Sequence, residues 1–412
     1  MSFKDLHLIK PILKAVEASG YIAPTLVQQR AIPFILDRKD VIVSAQTGTG
    51  KTAAFALPIL QNLFDKQDAP KKGKKIKALI LSPTRELAIQ IQKNFNTYAE
   101  FTNLTSLVVF GGASIEPQID VLKKGIDILV ATPGRLLDLH KQDYINLDYV
   151  ETLVLDEADL MLDMGFIDDV KKIERLCPND KQSLLFSATI PDKIEDLASS
   201  ILKTPERIDV TPTKSVAKDV SQILYYVPKQ SKIELCLHLM RNTIEGNVLI
   251  FRRTKYGVDK LEKTLSKNGY AVNSIHGDKN QSDRQTALNK FKNGYVKVLI
   301  ATDVAARGID INELDNVLNF DMPNVAETYV HRIGRTGRAG HVGKAYSMCS
   351  ADEKTYVKTI QNAINVQIPV ETEHPYPLDP KAKPIVHKKQ GGSKYKKGRK
   401  SEASKKKKKR WY

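Results

Sequence analysis

Short, continuously apolar runs alternate along the chain with stretches whose apolar residues recur every three or four positions. In the first half, Val41–Ser44, Ala78–Ser82, Ser106–Phe110, Ile128–Ala131, Thr152–Asp156 and Leu184–Ser187 predict strands, and Glu86–Ala99 predicts a helix. Strands that are apolar on both faces and separated by helices belong to a buried parallel sheet, so the fold class is α/β. The pattern breaks over 203–218, where Thr, Pro and Lys cluster, and then restarts. Asn247–Phe251, Ala271–Ser274, Val296–Ala301, Asn316–Phe320 and Ala345–Cys349 predict the strands of a second unit, with its first helix over Lys229–Asn242. The division is therefore a first domain over 1–205, a linker over 206–218, a second domain over 219–366, and a tail over 367–412 that fades into Pro, Gly, Ser and Lys and reads as disordered. Asp65–Lys77 reads as a polar loop inside the first unit.

Composition narrows the class. The 412 residues, 42% of them hydrophobic, suffice for two or three domains with sizeable cores. No apolar run approaches the ~20 residues that span a bilayer, and Met1–Leu6 lacks the basic and apolar regions of a signal peptide. Cys177, Cys236 and Cys349 are far apart and in no metal-ligand spacing, which points to reduced thiols and a cytoplasmic protein. Of the net charge of +17, +14 falls on 381–412, where 15 Lys and Arg face one acid, Glu402. Such a block is either a solubilising end or a grip on polyphosphate.

Candidate chemistry begins after the first strand. Ala45-Gln46-Thr47-Gly48-Thr49-Gly50-Lys51-Thr52 leads into an apolar helix. Gly48 and Gly50 let the backbone curl so that N–H groups face phosphate oxygens, and the helix N-terminus adds its positive end. Lys51 reaches the outer phosphates and Thr52 can place its hydroxyl on Mg²⁺. A short Gly pattern arises by chance; its setting between strand and helix is what makes it a phosphate site. Thr152–Leu155 then runs into Asp156-Glu157-Ala158-Asp159. Carboxylates at the end of a parallel strand stand where ligands bind. Asp156 suits Mg²⁺ and Glu157 suits an attacking water, against the plainer reading of a surface acidic turn.

The tetrad 156–159 resembles the signature of the DEAD-box family of superfamily 2 helicases, and an ordered series accompanies it. Gly20–Gln28 with Phe3 upstream looks like the Q motif, Pro83–Ala88 like motif Ia, Gly111-Gly112 like the GG element, Thr132–Arg135 like motif Ib and Ser187–Thr189 like motif III. Leu249–Thr254 resembles motif IV, His276–Asp278 with Gln281 and Arg284 the QxxR region, Ala301–Asp310 motif V and His331–Arg338 motif VI. The compact N-terminus and short basic tail look most like the bacterial RhlE-type branch. Departures are Ala45 at the first loop position, Leu26-Val27 in the Q motif, Leu160 after the tetrad and Arg252 in a variable slot of motif IV. None removes a catalytic group.

The resemblance implies two tandem RecA-like domains, ATP and Mg²⁺ as cofactors, and an RNA-dependent ATPase and helicase. The amide of Gln28 matches adenine, Phe3 would cover the base by stacking with Tyr21 also at the nucleotide, and Asp310 would accept from the ribose hydroxyls. Arg335 and Arg338 become arginine fingers, and His331 meets the DEAD segment or motif III; for Arg332 and Arg338 alone, a solvated helix face is the ordinary reading. Thr84, Arg85, Gly112, Thr132 and Arg135 in the first lobe, with Thr254, Gly277, Arg284 and Thr302 in the second, are carried over as RNA backbone contacts that do not read bases. Ser187 and Thr189 become a relay between ATP and lobe closure. The expected partner is RNA, the expected state a monomer, with the tail adding affinity. A clamp without unwinding, a DNA translocase and an inactive relative are the rivals. Duplex release, RNA-selective stimulation and the presence of Lys51, Glu157 and both arginines separate them.

Overall fold

The computed structural model describes residues 1–46, 48–64, 75–210, 220–306, 314–337, 343–379 and 381–382. The first unit holds a seven-stranded sheet: β1 Val41–Ser44, β2 Ala78–Leu81, β3 Ser106–Val109, β4 Ile128–Ala131, β5 Thr152–Asp156, β6 Gln182–Ser187 and β7 Glu206–Asp209. Its order is β3-β4-β2-β5-β6-β1-β7, with every pair parallel. The central strands are largely apolar because both faces are covered. Val41, Val43, Ile80, Val154 and Phe186 pack under the helices Leu26–Leu36, Lys51–Phe64 and Arg85–Tyr98. The alternate residues Ile42, Leu79, Leu81, Leu155 and Leu185 pack under Pro133–Lys141, Ile167–Arg175 and Asp192–Ile201.

The second unit repeats the plan with six strands: β8 Val220–Tyr226, β9 Val248–Phe251, β10 Val272–Ile275, β11 Val298–Ala301, β12 Asn316–Asn319 and β13 Gly343–Cys349, in the order β10-β11-β9-β12-β13-β8. These pairs too are parallel. The expected first helix is split into a 3₁₀ turn, Lys229–Ser231, and an α-helix, Lys232–Asn242. All three cysteines are free and buried.

Two expectations are corrected, and one strand is additional to those expected. Residues 206–209, expected in the linker, form β7; Glu206-Arg207-Ile208-Asp209 has one apolar residue, enough for an edge strand paired only to β1. β8 has no matching expectation although Ile223-Leu224-Tyr225-Tyr226 is an apolar run; it lies at the sheet edge, with Ser221 exposed and Val220, Gln222, Leu224 and Tyr225 buried. The tail does not begin in disorder at 367: Ile368 is buried, and the segment through Leu378 lies along β8. Leu224 N donates to Pro369 O at 2.8 Å, Glu371 N to Leu224 O at 2.9 Å, and Leu378 N to Tyr226 O at 3.0 Å. This strap covers an otherwise open strand edge. Residues 383–412 lie outside the described residues.

A chain ending at 382 should match the full chain in stability. One ending at 365 loses those three hydrogen bonds and the burial of Ile368, a loss of roughly 3–5 kcal/mol from the second unit. Urea unfolding of the two truncations checks this: equal midpoints would mean that the strap contributes nothing.

Candidate active site

β5, β6 and β1 are neighbours, so the three segments leaving their C-terminal ends stand side by side. From β1 the chain enters the Gly-rich loop, where Gly48 and Gly50 take φ of 86° and 89°, and Lys51 opens the next helix. Thr49 Oγ1 donates to Gln46 O at 2.7 Å, holding the loop closed, and Thr52 follows in the first turn. Lys51 is 6% exposed; its Nζ donates to Ala45 O at 3.0 Å and to Glu157 Oε1 at 2.9 Å. Burial would push this ammonium down, but Glu157 and Asp156 outweigh it and hold the group above its ordinary range.

Glu157 leaves β5 in the left-handed region, φ 56° and ψ 55°, which few side chains with a Cβ adopt. Such a residue at the end of a central strand is a local cost retained at a working site. Burial pushes the Glu157 carboxyl up, but Lys51, the hydrogen bond to it, and then His331 and Arg335 bring it below the ordinary carboxylate range. The adjacent Asp156 is raised, first by burial and then by the Glu157 charge. Asp156 Oδ1 is buried with no hydrogen-bond partner.

The segment after β6 is tied to the same place. Asp159 N donates to Ser187 Oγ at 3.2 Å, and Thr189 gives both its N–H (3.1 Å) and its Oγ1–H (3.0 Å) to Asp159 Oδ2. Ser187 Oγ in turn donates to Thr189 O at 2.7 Å. Asp159 is thus the knot between the two segments. Across from it, Val325, Thr328, His331 and Arg335 of the second unit complete a cleft of about 390 Å³ with Glu157, Asp159 and Thr189.

The base side differs from expectation. Phe3 is 5% exposed and lies in the first core, so it is not itself a cover for a base. Tyr21, 40% exposed, stacks on it with centroids 6.2 Å apart and 20° between planes, and its hydroxyl meets that of Tyr98 at 2.7 Å. The Q-motif segment folds back over the loop because Thr25 caps the helix Leu26–Leu36 in a capping box with Gln28. Gln28 is buried: its Oε1 accepts from Thr25 N at 2.9 Å and its Nε2 donates to Gly50 O at 3.2 Å. One donor and one lone pair remain on the amide. A Cβ at Gly50 would come within 2.5 Å of Gln28 Nε2, so the glycine is needed there for approach as well as for φ.

Several RNA candidates converge at the junction of the units. Thr84 caps the helix Arg85–Tyr98, Thr132 opens Pro133–Lys141, and Thr254 caps Lys255–Lys267. Arg85 lies against Gly112, whose φ is 74° and whose Cβ would clash with the guanidinium. Arg85 is held below its ordinary range by burial first, and by the like charges of Arg284 and Arg135. Arg135 donates to Ala113 O at 3.1 Å. Glu86 bridges the units, accepting from Gln281 Nε2 at 3.0 Å and pairing with Arg284 at 2.9 Å. Buried Arg135 Nη1 and Arg284 Nε lack partners. Gly277 faces open space after β10, and Thr302 follows β11.

Thr47, Asp310 and Arg338 lie outside the described residues. Arg332, whose ordinary expectation is a solvated face, is instead 2% exposed. It forks onto Asp303 at 2.6 and 2.8 Å and donates to Asn319 Oδ1 at 3.0 Å and Asp321 O at 2.7 Å. Glu86, Asp159 and Asp303 carry this geometry without having been singled out in the sequence. The available signal was their place one residue after Arg85, at the end of the tetrad, and after Thr302.

Residues 25–197 match the DEAD/DEAH box helicase family and residues 231–340 the helicase conserved C-terminal domain. The DEAD-box ATP-dependent RNA helicase RhpA of Helicobacter pylori (strain ATCC 700392 / 26695) is 41% identical over 367 residues, 89% of this chain and 73% of the relative. The DEAD-box ATP-dependent RNA helicase CshA of Bacillus subtilis (strain 168) is 42% identical over 361 residues, 88% of this chain and 72% of the relative. Among solved structures, Mss116p (NTE and C-tail double deletion) bound to ssRNA and AMP-PNP is similar with a TM-score of 0.80 at 31% identity, over 90% of this chain and 78% of that one. With both halves matched and residues of the tetrad, Thr189, His331 and Arg335 lining one cleft, the chain belongs to the DEAD-box family of ATP-dependent RNA helicases.

Proposed function

We propose that the chain is an RNA-stimulated ATPase whose two units close on ATP and RNA, open a short duplex locally, and release it after hydrolysis. The observation that carries this reading is the cleft in which Glu157 of the first unit, itself paired with Lys51, faces His331 and Arg335 of the second. ATP phosphates would draw Lys51 away from Glu157, and the freed carboxylate would orient the attacking water. Arg335 would stabilise charge on the transferring phosphoryl group only while the units are closed, with Arg338 as its companion. Tyr21 would cover adenine, with Phe3 beneath it, while the free donor and lone pair of Gln28 would meet the base edge and Asp310 the ribose. The residues fit Mg²⁺: Asp156 offers a buried unpartnered oxygen, and Thr52 a hydroxyl in the first turn of the loop's helix. Among the described residues no three metal-ligating side chains converge, so phosphate oxygens and water would supply the other ligands. When bound, the ion would neutralise phosphate charge.

RNA would run across the junction on Thr84, Arg85, Gly112, Thr132 and Arg135, then Thr254, Gly277, Arg284 and Thr302, through its backbone and 2′-hydroxyls. The Asp159 tether to Ser187 and Thr189 would pass changes at Glu157 to the surface that meets the second unit. Binding is sequence-tolerant, the working form is a monomer, and the compartment is the cytoplasm. No helix among the described residues is long and apolar enough to cross a membrane. The narrower likeness to the RhlE-type branch remains a reading of the termini, since the relatives compared above are RhpA and CshA proteins.

ATP hydrolysis measured with RNA, with matched DNA and without polymer tests the reading. RNA alone should stimulate. Glu157→Gln should lose ~10²–10⁴ in rate while still binding ATP, and Arg335→Ala about 10³ with RNA affinity largely kept. Equal rates with every polymer would remove the coupling and favour a clamp.

Removing 381–412 should weaken RNA binding. Each lost Lys or Arg contact should flatten the slope of log K against log salt by about 0.7 for a single strand. Binding titrations at several salt concentrations read this directly; an unchanged slope would mean that the tail does not touch RNA.

A further inference from the structure

Arg252 fills a variable slot of motif IV, and neither the ATP site nor the RNA contacts account for it. It follows β9 and precedes Thr254, the cap of the helix Lys255–Lys267. Its guanidinium makes three kinds of contact at once. Nε donates to Asp321 Oδ2 at 2.8 Å, and the plane lies 4.1 Å from the Phe320 ring centroid. Nη2 stands over the first turn of the helix, where a Cβ on Gly257 would come within 2.8 Å of it. A cation at a helix N-terminus opposes the helix dipole, so a counter-charge must hold it there. Asp321 supplies that charge and also accepts from Arg253 N at 2.9 Å.

The Phe320–Asp321 corner is gripped from its other side by motif VI. Arg332 donates to Asp321 O at 2.7 Å, forks onto Asp303 beside Thr302, and lies 5.0 Å from the Phe251 ring centroid. It belongs to the helix Ala326–Ile333, which carries His331 and runs on to Arg335. One corner of the backbone therefore has an arginine from the RNA-facing motif on one side and an arginine from the ATP-facing motif on the other.

We propose that Arg252 is a positioning residue that ties the start of the Thr254 helix to the Phe320–Asp321 corner, so that RNA held at Thr254 sets the placement of the motif VI helix and of Arg335. The proposal rests on the RNA-stimulated ATPase reading above. The alternative roles differ in what they move. A residue that merely stabilises the fold lowers all activities together. A phosphate ligand changes the RNA concentration needed without changing the rate at saturation.

The test uses the full-length chain with Arg252→Lys and Arg252→Gln, measuring thermal unfolding, ATP hydrolysis without RNA, and the rate and half-saturating RNA with a homopolymer. Lysine keeps the charge opposite Asp321 but cannot bond, stack and reach the helix together. Arg252→Lys should therefore unfold near the temperature of the parent and keep its RNA-independent rate. Its rate at saturating RNA should fall about tenfold, within the range of coupling between residues in one network. Arg252→Gln should fall at least as far at saturating RNA. The proposal is overturned if both variants reach the parent rate at saturating RNA, whether or not more RNA is needed. It is also overturned if RNA-independent and RNA-stimulated rates fall in parallel with the unfolding temperature. If the parent itself shows no stimulation by RNA, the underlying functional reading fails instead.

Discussion

The buried pair between Lys51 and Glu157, 2.9 Å apart, sets the terms for the rest of the structure. An ammonium that is 6% exposed is unstable without a counter-charge at contact. That requires the loop after β1 and the turn after β5 to meet, which the sheet order ensures by leaving only β6 between them. The left-handed Glu157 brings the carboxylate round to Lys51 and leaves Asp156 behind it. Against its burial, Glu157 is held low by Lys51, while burial first and then the Glu157 charge push Asp156 up. The site is thus built with an excess of buried negative charge beside a phosphate loop. A polyphosphate that takes Lys51 sharpens that imbalance, and a divalent cation relieves it.

The second unit enters the balance through His331 and Arg335, which both lower Glu157. Their field at the carboxylate exists only in an arrangement with the units together. The Asp159 knot makes the opposite face of that cleft stiff, since Ser187, Thr189 and Asp159 satisfy one another's polar groups. Arg332, buried in its own unit by four polar contacts, does the same for the helix bearing His331. Both walls are therefore rigid, and the variable element is their separation.

Much of this was legible in the sequence, for a physical reason. Strands covered on both faces must be apolar, so all eleven runs fall on strands with bounds within two residues; β6 and β13 begin two residues before their runs, β6 at buried polar Gln182 and Ser183, and β11 begins two residues after. β7 escaped because an edge strand needs only part of its surface apolar, here Ile208; β8 carries an apolar run, Ile223–Tyr226, of the kind that marks the other strands. The strap over β8 escaped because main-chain hydrogen bonds leave no mark in side-chain pattern. Within the site, residue type and spacing revealed the loop and the carboxylates. They could not reveal that Phe3 lies under Tyr21, since either ring suits a base, or that Arg332 is buried, since its partners Asp303 and Asn319 are distant along the chain.

The junction on the RNA side shows why closure and RNA binding belong together. Burial first, and then the charges of Arg284 and Arg135, lower Arg85; Glu86 pairs with Arg284, and Asp138 pairs with Arg135 at 3.6 Å. Glu86 comes from the first unit while Arg284 and Gln281 come from the second, so bringing the units together both adds to the repulsion and partly offsets it. Two carboxylates do not neutralise three guanidiniums. A row of phosphates does, and their N–H donors without partners, Arg135 Nη1 and Arg284 Nε, are of the type that phosphate oxygens accept from. On the proposed reading, an RNA backbone laid across the junction would stabilise the closed arrangement more than the open one, and by linkage closure would tighten the hold on RNA by the same factor.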